Sequence, residues 1–387
     1  MIRALLVPAL FISSLLACAD EGQAPSYATI EKANFIYAHL TGKMLSRRNP
    51  NYQKYIDLIS QGKADAVATL ITEEPAFIGA TVRQWASLTL SFGKKPNIEL
   101  NDALAMMMGS VRDNRDAREL LTGNFTYGAS SKIGLGKPNP QSVDYFLKLE
   151  TAPKELKDKL QYYTPQWEET SFKDPAGLMT TRFWGEQYYS GGTNRRAMVG
   201  AFETFLCEPK EFWKTSFLPT HRIRQDIPRD SGGDVRTFQR DCRTCHSGMD
   251  ALSGAFARYD FTDGRLLYTA DAIRPKYFNS NHIYPEGFVT TDDSFINYLT
   301  GLQNEVFGWR GKLTGNGVNQ FGQMIAESHG FSKCFSKRIY EQVCGGTLEL
   351  TDPLTDELAN RFEESAYKLK DQFIFTVLHP QCSKNGE

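Results

Sequence analysis

The chain has 387 residues, and 44 lysines and arginines stand against 45 aspartates and glutamates, which gives a net charge of −1. Hydrophobic residues make up 41% of the sequence, an ordinary share for a globular protein that is long enough for two or three sizeable domains. No long basic or acidic run is present, so the charge pattern argues against a nucleic-acid partner.

The first seventeen residues have the pattern of an export signal. Arg3 supplies a positive charge, and residues 4–16 form an apolar run that is too short to span a bilayer. The segment ends in Leu-Leu-Ala followed by Cys18, which resembles the bacterial lipoprotein signal, so Cys18 is expected to become the lipidated first residue. The alternative is an ordinary cleaved signal that happens to contain a cysteine. Because Ala19 rather than aspartate follows, resemblance to other lipoproteins favours the outer membrane of the cell envelope.

Residues 18–175 are predicted to form a helical N-terminal domain. Apolar residues recur there at helical spacing in several segments, at 30–45, 52–58, 64–71, 77–90 and from 101 onward. Met106, Met107 and Met108 are consecutive and therefore face different directions on a helix, which favours core packing over a cluster of metal or haem ligands.

Residues 176–293 are predicted to form a loop-rich domain around Cys242, Cys245 and His246. Two thiols three positions apart, with a histidine directly after the second, form the pattern for covalent attachment of haem c. One helical turn lets both sulfurs reach the haem vinyl groups and points His246 at the iron as the proximal ligand. The same spacing occurs by chance and in zinc or dithiol sites, and the export signal favours haem because haem c is attached outside the cytoplasm. The alternative is an exported disulfide beside an incidental histidine.

The second axial ligand of the iron has three candidates. Met324 lies at a suitable sequence distance, although it also fits the apolar position of a short helix. His282, in a polar loop, and His329 are the alternatives. Met249 follows His246 by three positions on the same predicted helix, so it is expected to pack on the proximal side.

Arginines cluster around the haem motif. Guanidinium groups bind carboxylates bidentately, so some of these arginines are expected to pair with haem propionates. Most are expected to be solvated or paired with nearby aspartates. The arginines are Arg195, Arg196, Arg222, Arg224, Arg229, Arg236, Arg240 and Arg243, and the aspartates are Asp226, Asp230, Asp234 and Asp241.

Residues 294–387 are predicted to form a helical C-terminal domain. Phe331 and Phe335 mark one helix, and Asp352 followed by Pro353 is a helix start signal for the next. An apolar stripe continues through this second helix to residue 379, and the two helices are expected to form an antiparallel hairpin. Strand patterns are few, so the predicted fold class is mainly α.

Four cysteines remain when Cys18 and the haem pair are set aside. An even number in an oxidising compartment predicts two disulfides among Cys207, Cys334, Cys344 and Cys382, and four cysteines allow three pairings. In a helical hairpin the chain after residue 377 returns toward the start of the preceding helix. That direction favours Cys334 with Cys382 and leaves Cys207 for Cys344.

The sequence resembles the planctomycete-type cytochrome c proteins, which consist of tandem domains of largely unknown function. The resemblance rests on residues 40–43 and 119–127 in the N-terminal region and on 192–196, 205–207 and 242–261 in the central region. The C-terminal region is similar to the helical domain that normally follows, except that Gly345-Gly346 stands where commoner relatives carry Gly-Arg. The resemblance implies a haem protein of the envelope and carries over no substrate.

These observations predict a single-haem c-type cytochrome, held at the membrane by its lipid, that passes electrons to an unknown redox partner protein. A haem enzyme with an open sixth position, acting on a small molecule, is a second function class. A structural surface lipoprotein, in which haem only stabilises the fold, is a third. No Ser-His-Asp set, carboxylate pair or phosphate cradle stands out, so electron transfer is favoured over catalysis.

Overall fold

The computed structural model describes residues 25–139, 144–168, 172–227, 234–278 and 284–384. Within these residues the chain is mainly α-helical and its strands are short, which confirms the predicted fold class. Cys18 and His282 lie outside the described residues. None of the described helices combines the length and apolar character needed to cross a membrane.

The N-terminal region is a group of helices packed around one that is buried on every side. The helices are α1 (Tyr27–Thr41), α2 (Tyr52–Ser60), α3 (Ala64–Ile71), α4 (Arg83–Leu90), α5 (Asp102–Arg112), α6 (Glu119–Thr122), α7 (Tyr145–Thr151) and α8 (Leu156–Lys159). A π-helical turn, Phe77–Val82, leads into α4. In α5 every residue from 102 to 111 is buried, so Met106, Met107 and Met108 are core residues, as predicted.

The central region contains shorter helices joined by wide turns. Its helices are α9 (Arg182–Trp184), α10 (Arg195–Phe205), α11 (Val235–Thr237) and α12 (Arg243–Ser253). One π-helical turn, Gly185–Tyr189, continues α9, and another, Phe238–Cys242, joins α11 to α12. Such turns are rare and are frequently found at functional sites. Tight 3₁₀ turns occur at Gly177–Thr180, Lys210–Phe212, Gly254–Phe256, Pro275–Phe278 and Leu302–Phe307.

The described strands form three antiparallel pairs. They are β1 (Thr126–Ala129) with β2 (Leu160–Tyr163), β3 (Tyr259–Thr262) with β4 (Arg265–Tyr268), and β5 (Ser294–Ile296) with β6 (Thr314–Asn316). In register, Thr126 lies opposite Tyr163, and Ser294 opposite Asn316. The β3–β4 turn consists of Asp263 and Gly264, with φ of 53° and 71°, the positive values that a tight two-residue hairpin requires.

The C-terminal region contains a helical hairpin that is shorter than expected. Its helices are α13 (Gly317–Ala326), α14 (His329–Cys344), α15 (Pro353–Glu364), α16 (Leu369–Leu378) and α17 (Pro380–Lys384). α14 and α15 are antiparallel, because His329 pairs with Glu363 while Lys333 pairs with Asp356. The prediction of one long helix after Asp352 was wrong. Ala366 and Tyr367 adopt positive φ of 54° and 58°, which ends α15 and reverses the chain into α16.

One hydrophobic core runs through all three predicted regions. The ring of Trp85, in α4, makes edge contacts with Phe335 of α14 and Phe373 of α16 at centroid distances of 5.9 and 5.5 Å. Phe202, in α10, contacts Phe321 of α13 at 6.5 Å. The N-terminal and central regions therefore both pack directly on the C-terminal helices.

All four remaining cysteines form disulfides, as predicted, but the expected pairing was wrong. The bonds join Cys207 to Cys334 and Cys344 to Cys382. The reason is the reversal after α15, which makes α16 run parallel to α14. The end of α16 therefore lies at the C-terminal end of α14, which places Cys382 beside Cys344. Cys334, near the start of α14, is bonded to Cys207, which follows the end of α10.

Candidate haem site

The Cys-x-x-Cys-His motif lies where a π-helical turn becomes α12. Asp234 starts this segment, because its side chain accepts a hydrogen bond from the backbone N–H of Arg236 at 2.8 Å. Cys242 is the last residue of the wide turn and is half-buried. Cys245 is exposed and His246 is only 8% exposed in the first turn of α12. The local fold thus exposes Cys245, buries Cys242 in part and buries the imidazole almost fully.

Cys242, Cys245 and His246 line a single cavity of about 550 Å³, so the structure brings the three predicted haem-binding residues together. A cavity of this size is within the range of roughly 300–1,000 Å³ that is usual for ligand sites. Its other walls come from the π-helical turn before Ser190, from α10 and from the 3₁₀ turn after it. These walls consist of Gln187, Tyr188, Arg195, Arg196, Val199, Gly200, Glu203 and Lys210, together with Met249 of α12.

The imidazole of His246 is fixed by a buried carboxylate one helical turn further on. Its Nδ1 lies 3.0 Å from Oδ1 of Asp250, whose side chain is fully buried. Nδ1–H donates to this carboxylate, which leaves Nε2 as the nitrogen available to a ligand. Asp250 is the functional residue that the sequence reasoning missed. Asp250 follows His246 by four positions on a predicted helix, and this spacing indicates that the two side chains are neighbours on one face of that helix.

Arg195 holds Asp250 from the other side. The Arg195 guanidinium donates from Nε to Oδ1 of Asp250 at 2.6 Å and from Nη2 to Oδ2 at 3.2 Å. Burial alone would raise the pKa of Asp250, but the charges of Arg195 and His246 hold that pKa well below its usual range. The cluster therefore favours the ionised form of Asp250.

A second aspartate completes this buried charge cluster. Asp226 accepts from Arg195 Nη2 at 3.3 Å and from Arg224 Nη2 at 3.1 Å. The backbone N–H of Arg224 also donates to Oδ2 of Asp250 at 3.0 Å. Two guanidinium groups thus balance two carboxylates, as buried charges require. This geometry bears out the aspartate pairing that was expected for Asp226.

Tyr188 is the aromatic residue outside α12 that lines the described part of the cavity. The ring of Tyr188 lies against Gly200 of α10, where an added Cβ would come within 2.5 Å of the ring. Burial raises the pKa of Tyr188 well above its usual value, so the phenol stays neutral. The helix carrying Tyr188 is anchored to the N-terminal region, because Asp102 accepts from the backbone N–H groups of Arg182 and Phe183 at 2.5 and 3.1 Å.

Neither Met324 nor His329 lines this cavity. Met324 is buried in α13, where its sulfur accepts from Asn297 Nδ2 at 3.5 Å, and it is not part of the cavity wall. His329 has both ring nitrogens engaged by carboxylates, with Glu363 at 2.7 Å and Asp356 at 3.1 Å. His282 lies outside the described residues. The distal ligand stays a prediction without support from the described geometry.

No protein-family profile matches this sequence. Neither the curated proteins nor the solved structures include a significant match to it. The resemblance to planctomycete-type cytochromes c therefore stays a prediction, and support for a function comes from the chain's own residues.

Proposed function

We propose that this chain is a single-haem c-type cytochrome of the cell envelope that transfers electrons. The observation that carries the proposal is that Cys242, Cys245 and His246 line one ligand-sized cavity. Two thiols on neighbouring turns are the groups that form thioethers to haem vinyls, and imidazole is the usual proximal ligand of haem iron. The donor set and the cavity therefore suit haem c.

Two residues prepare His246 for this role. Asp250 accepts the Nδ1 proton and so fixes the tautomer and the ring orientation, with Nε2 left for the iron. A hydrogen-bonded carboxylate also makes an imidazole more basic, which stabilises the ferric state and lowers the reduction potential. Arg195 keeps Asp250 in place through two hydrogen bonds. Haem c, when bound, supplies one-electron chemistry.

Export and lipid attachment belong to the same proposal. The signal-like residues 1–17 and Cys18 would place the protein on the membrane, and we propose the outer membrane. Two disulfides in the described residues suit an oxidising compartment, since such bonds are rare in the cytosol. The electron partner is proposed to be another protein of the envelope, whose identity the chain does not specify.

One observation favours a second candidate function, a haem enzyme acting on a small molecule. In the described residues, the cavity walls outside α12 present Tyr188, Glu203 and Lys210, and no histidine or methionine. An iron without a protein ligand on its distal side is open to small molecules, and the polarity of the distal pocket then decides the reaction.

The decisive experiment is chemical extraction of the protein after export and haem maturation in a bacterial host. Thioether-bound haem resists acid and organic solvent, and Cys242→Ala together with Cys245→Ala should abolish that resistance. The matched control is Cys207→Ala with Cys334→Ala, which removes two other cysteines and should keep the haem attached. Solvent-resistant haem in the first variant, or none in the unaltered protein, would overturn the proposal.

Spectroscopy then separates the two candidate functions. A carrier with methionine as its sixth ligand should show a near-infrared methionine–iron band and should not bind added carbon monoxide or cyanide readily. An open-site enzyme should lack that band and bind both ligands freely. A methionine band that disappears in Met324→Ala would establish Met324 as the distal ligand after all.

A further inference from the structure

A second, larger cleft lies next to the haem cavity. It has a volume of about 740 Å³ and is formed by α4, the end of α10 and α14. Glu203 lines both this cleft and the haem cavity, so the two spaces are neighbours. Because Arg338 is its central charged group, we call it the Arg338 cleft.

Within the part of the chain that the structure describes, Arg338 has no carboxylate partner. Its Nε donates to the sulfur of Cys207 at 3.1 Å, and its Nη2 donates to the backbone carbonyl of Glu203 at 2.8 Å. Among the described residues no carboxylate oxygen comes within 4.0 Å of its guanidinium nitrogens. Burial lowers the pKa of Arg338 to about 10, although Glu341 partly offsets that effect. A partly buried guanidinium whose hydrogen-bond acceptors are all neutral keeps its attraction for an anion.

The remaining charges leave the cleft positive. Lys94 and Lys337 line it beside Arg338, and Glu203 and Glu341 are its carboxylates. Lys337 is paired with Glu341 and also donates to a backbone carbonyl. Three cations thus face two anions, so an added carboxylate would be attracted to the cleft.

Part of the cleft wall is apolar. Leu88 and Phe92 line the cleft with partly exposed side chains, whereas Trp85, which also lines it, is only 1% exposed. An apolar group bound in the cleft would therefore contact Leu88 and Phe92, and burial of that apolar surface would favour binding.

We propose that the Arg338 cleft binds a small aromatic carboxylate, with its carboxylate on the Arg338 guanidinium and its ring against Leu88 and Phe92. Guanidinium binds carboxylate in a planar, two-bond geometry, and aromatic side chains favour offset or edge contacts with another ring. The inference does not rest on haem binding, because Arg338, Leu88 and Phe92 do not line the haem cavity.

Titration calorimetry with the full-length protein tests this site, with 2-naphthoate as the anionic probe and 2-naphthalenemethanol as its neutral match. One naphthoate should bind per chain, and the alcohol should bind at least tenfold more weakly. Arg338→Gln should weaken naphthoate binding at least tenfold and leave the alcohol unaffected. Equal affinities for the two probes, or no naphthoate binding at millimolar concentration, would overturn the proposal.

A second variant keeps the test decisive if Arg338→Gln fails to fold. Gln84 is exposed and lines the cleft, so Gln84→Trp should fill the space without removing a charge. Naphthoate binding should then be lost, while Gln53→Trp, at an exposed position of α2 outside the cleft, should bind as the unaltered protein does. Unchanged binding in Gln84→Trp would rule the site out.

Discussion

Nδ1 of His246 lies 3.0 Å from Oδ1 of Asp250, and both side chains belong to α12. The carboxylate is held in turn by Arg195 of α10. The orientation of the imidazole therefore depends on the contact between two helices as well as on its own helix. This contact connects the proposed chemistry of the iron to the packing of the central region.

If haem binds as proposed, Asp250→Asn should raise its reduction potential. The variant replaces a charged acceptor by a neutral one, and a hydrogen bond to a charged group is stronger by about 1–2 kcal/mol. For a one-electron couple that difference corresponds to roughly 40–90 mV. A spectroscopic redox titration measures the change.

Asp241→Asn is the matched control for this potential. Asp241 lies beside the motif and carries the same charge, but it is exposed and pairs with Arg240 instead of His246. Its replacement should move the potential far less than Asp250→Asn does. Equal shifts in the two variants would mean that only net charge matters and that Asp250 does not act through the imidazole.

Gly200→Ala should displace the ring of Tyr188 in the wall of the cavity that His246 lines. The new Cβ would lie within 2.5 Å of the Tyr188 ring, which is too close for the ring to stay in place. Overpacking of this kind costs about 1–3 kcal/mol of unfolding free energy. Gly79→Ala is the control, since nothing lies within 4 Å of its added Cβ. Urea unfolding of both variants checks the difference, and equal stabilities would contradict it.

Mass spectrometry of peptides from the non-reduced protein should find Cys207 joined to Cys334 and Cys344 joined to Cys382. The first bond closes a loop of 127 residues and the second a loop of 38. The chain-entropy estimate gives losses of about 5 and about 4 kcal/mol, respectively, when each pair is changed to alanine. Peptides that join Cys334 to Cys382 would refute this pairing.

Asp174→Asn should make stability less dependent on pH. Asp174 accepts from the backbone N–H groups of Val318 and Asn319 at the start of α13, and burial followed by the nearby charge of Asp293 raises its pKa to about 6. The pKa of Asp174 is thus higher in the folded protein than its unfolded value of 3.8. Between pH 3.8 and about pH 6 the folded state therefore binds more protons than the unfolded state. As a result, the free energy of unfolding falls as the pH rises through this range.

The free energy of unfolding should change by about 2–3 kcal/mol over this pH range, since each pKa unit corresponds to about 1.4 kcal/mol. Asparagine can still accept a backbone hydrogen bond but carries no charge. Urea unfolding at pH 4 and pH 7 should therefore show Asp174→Asn gaining stability relative to the unaltered protein at the higher pH. A stability difference that is the same at both pH values would show that Asp174 does not titrate in this range.

Cys18→Ser should release the protein from the membrane fraction. The prediction follows from the signal-like residues 1–17, because a cysteine after the cleavage site carries the acyl chains that anchor a lipoprotein. Mass spectrometry of the purified protein should find acylated Cys18 as its first residue. An unmodified N-terminus at another position would show that the segment is an ordinary signal peptide.

Local sequence patterns were sufficient to predict some features of this protein. The spacing of Cys242, Cys245 and His246 requires only one helical turn, and the structure places all three on one cavity. Helical periodicity likewise predicted the mainly α fold and the burial of the three consecutive methionines in α5. These features depend on residues within a few positions of one another, where the backbone geometry alone sets the distances.

Only the tertiary structure decided which distant residues meet. The apolar stripe continued through Ala366 as if one helix did, yet Ala366 and Tyr367 both adopt positive φ and turn the chain back. Because of that single reversal, Cys382 is bonded to Cys344, and Cys334 is bonded to Cys207. Met324 is likewise not among the residues that line the cavity with His246. Helical spacing cannot report such a turn, because side-chain periodicity is similar on either side of it and packing determines where the backbone reverses.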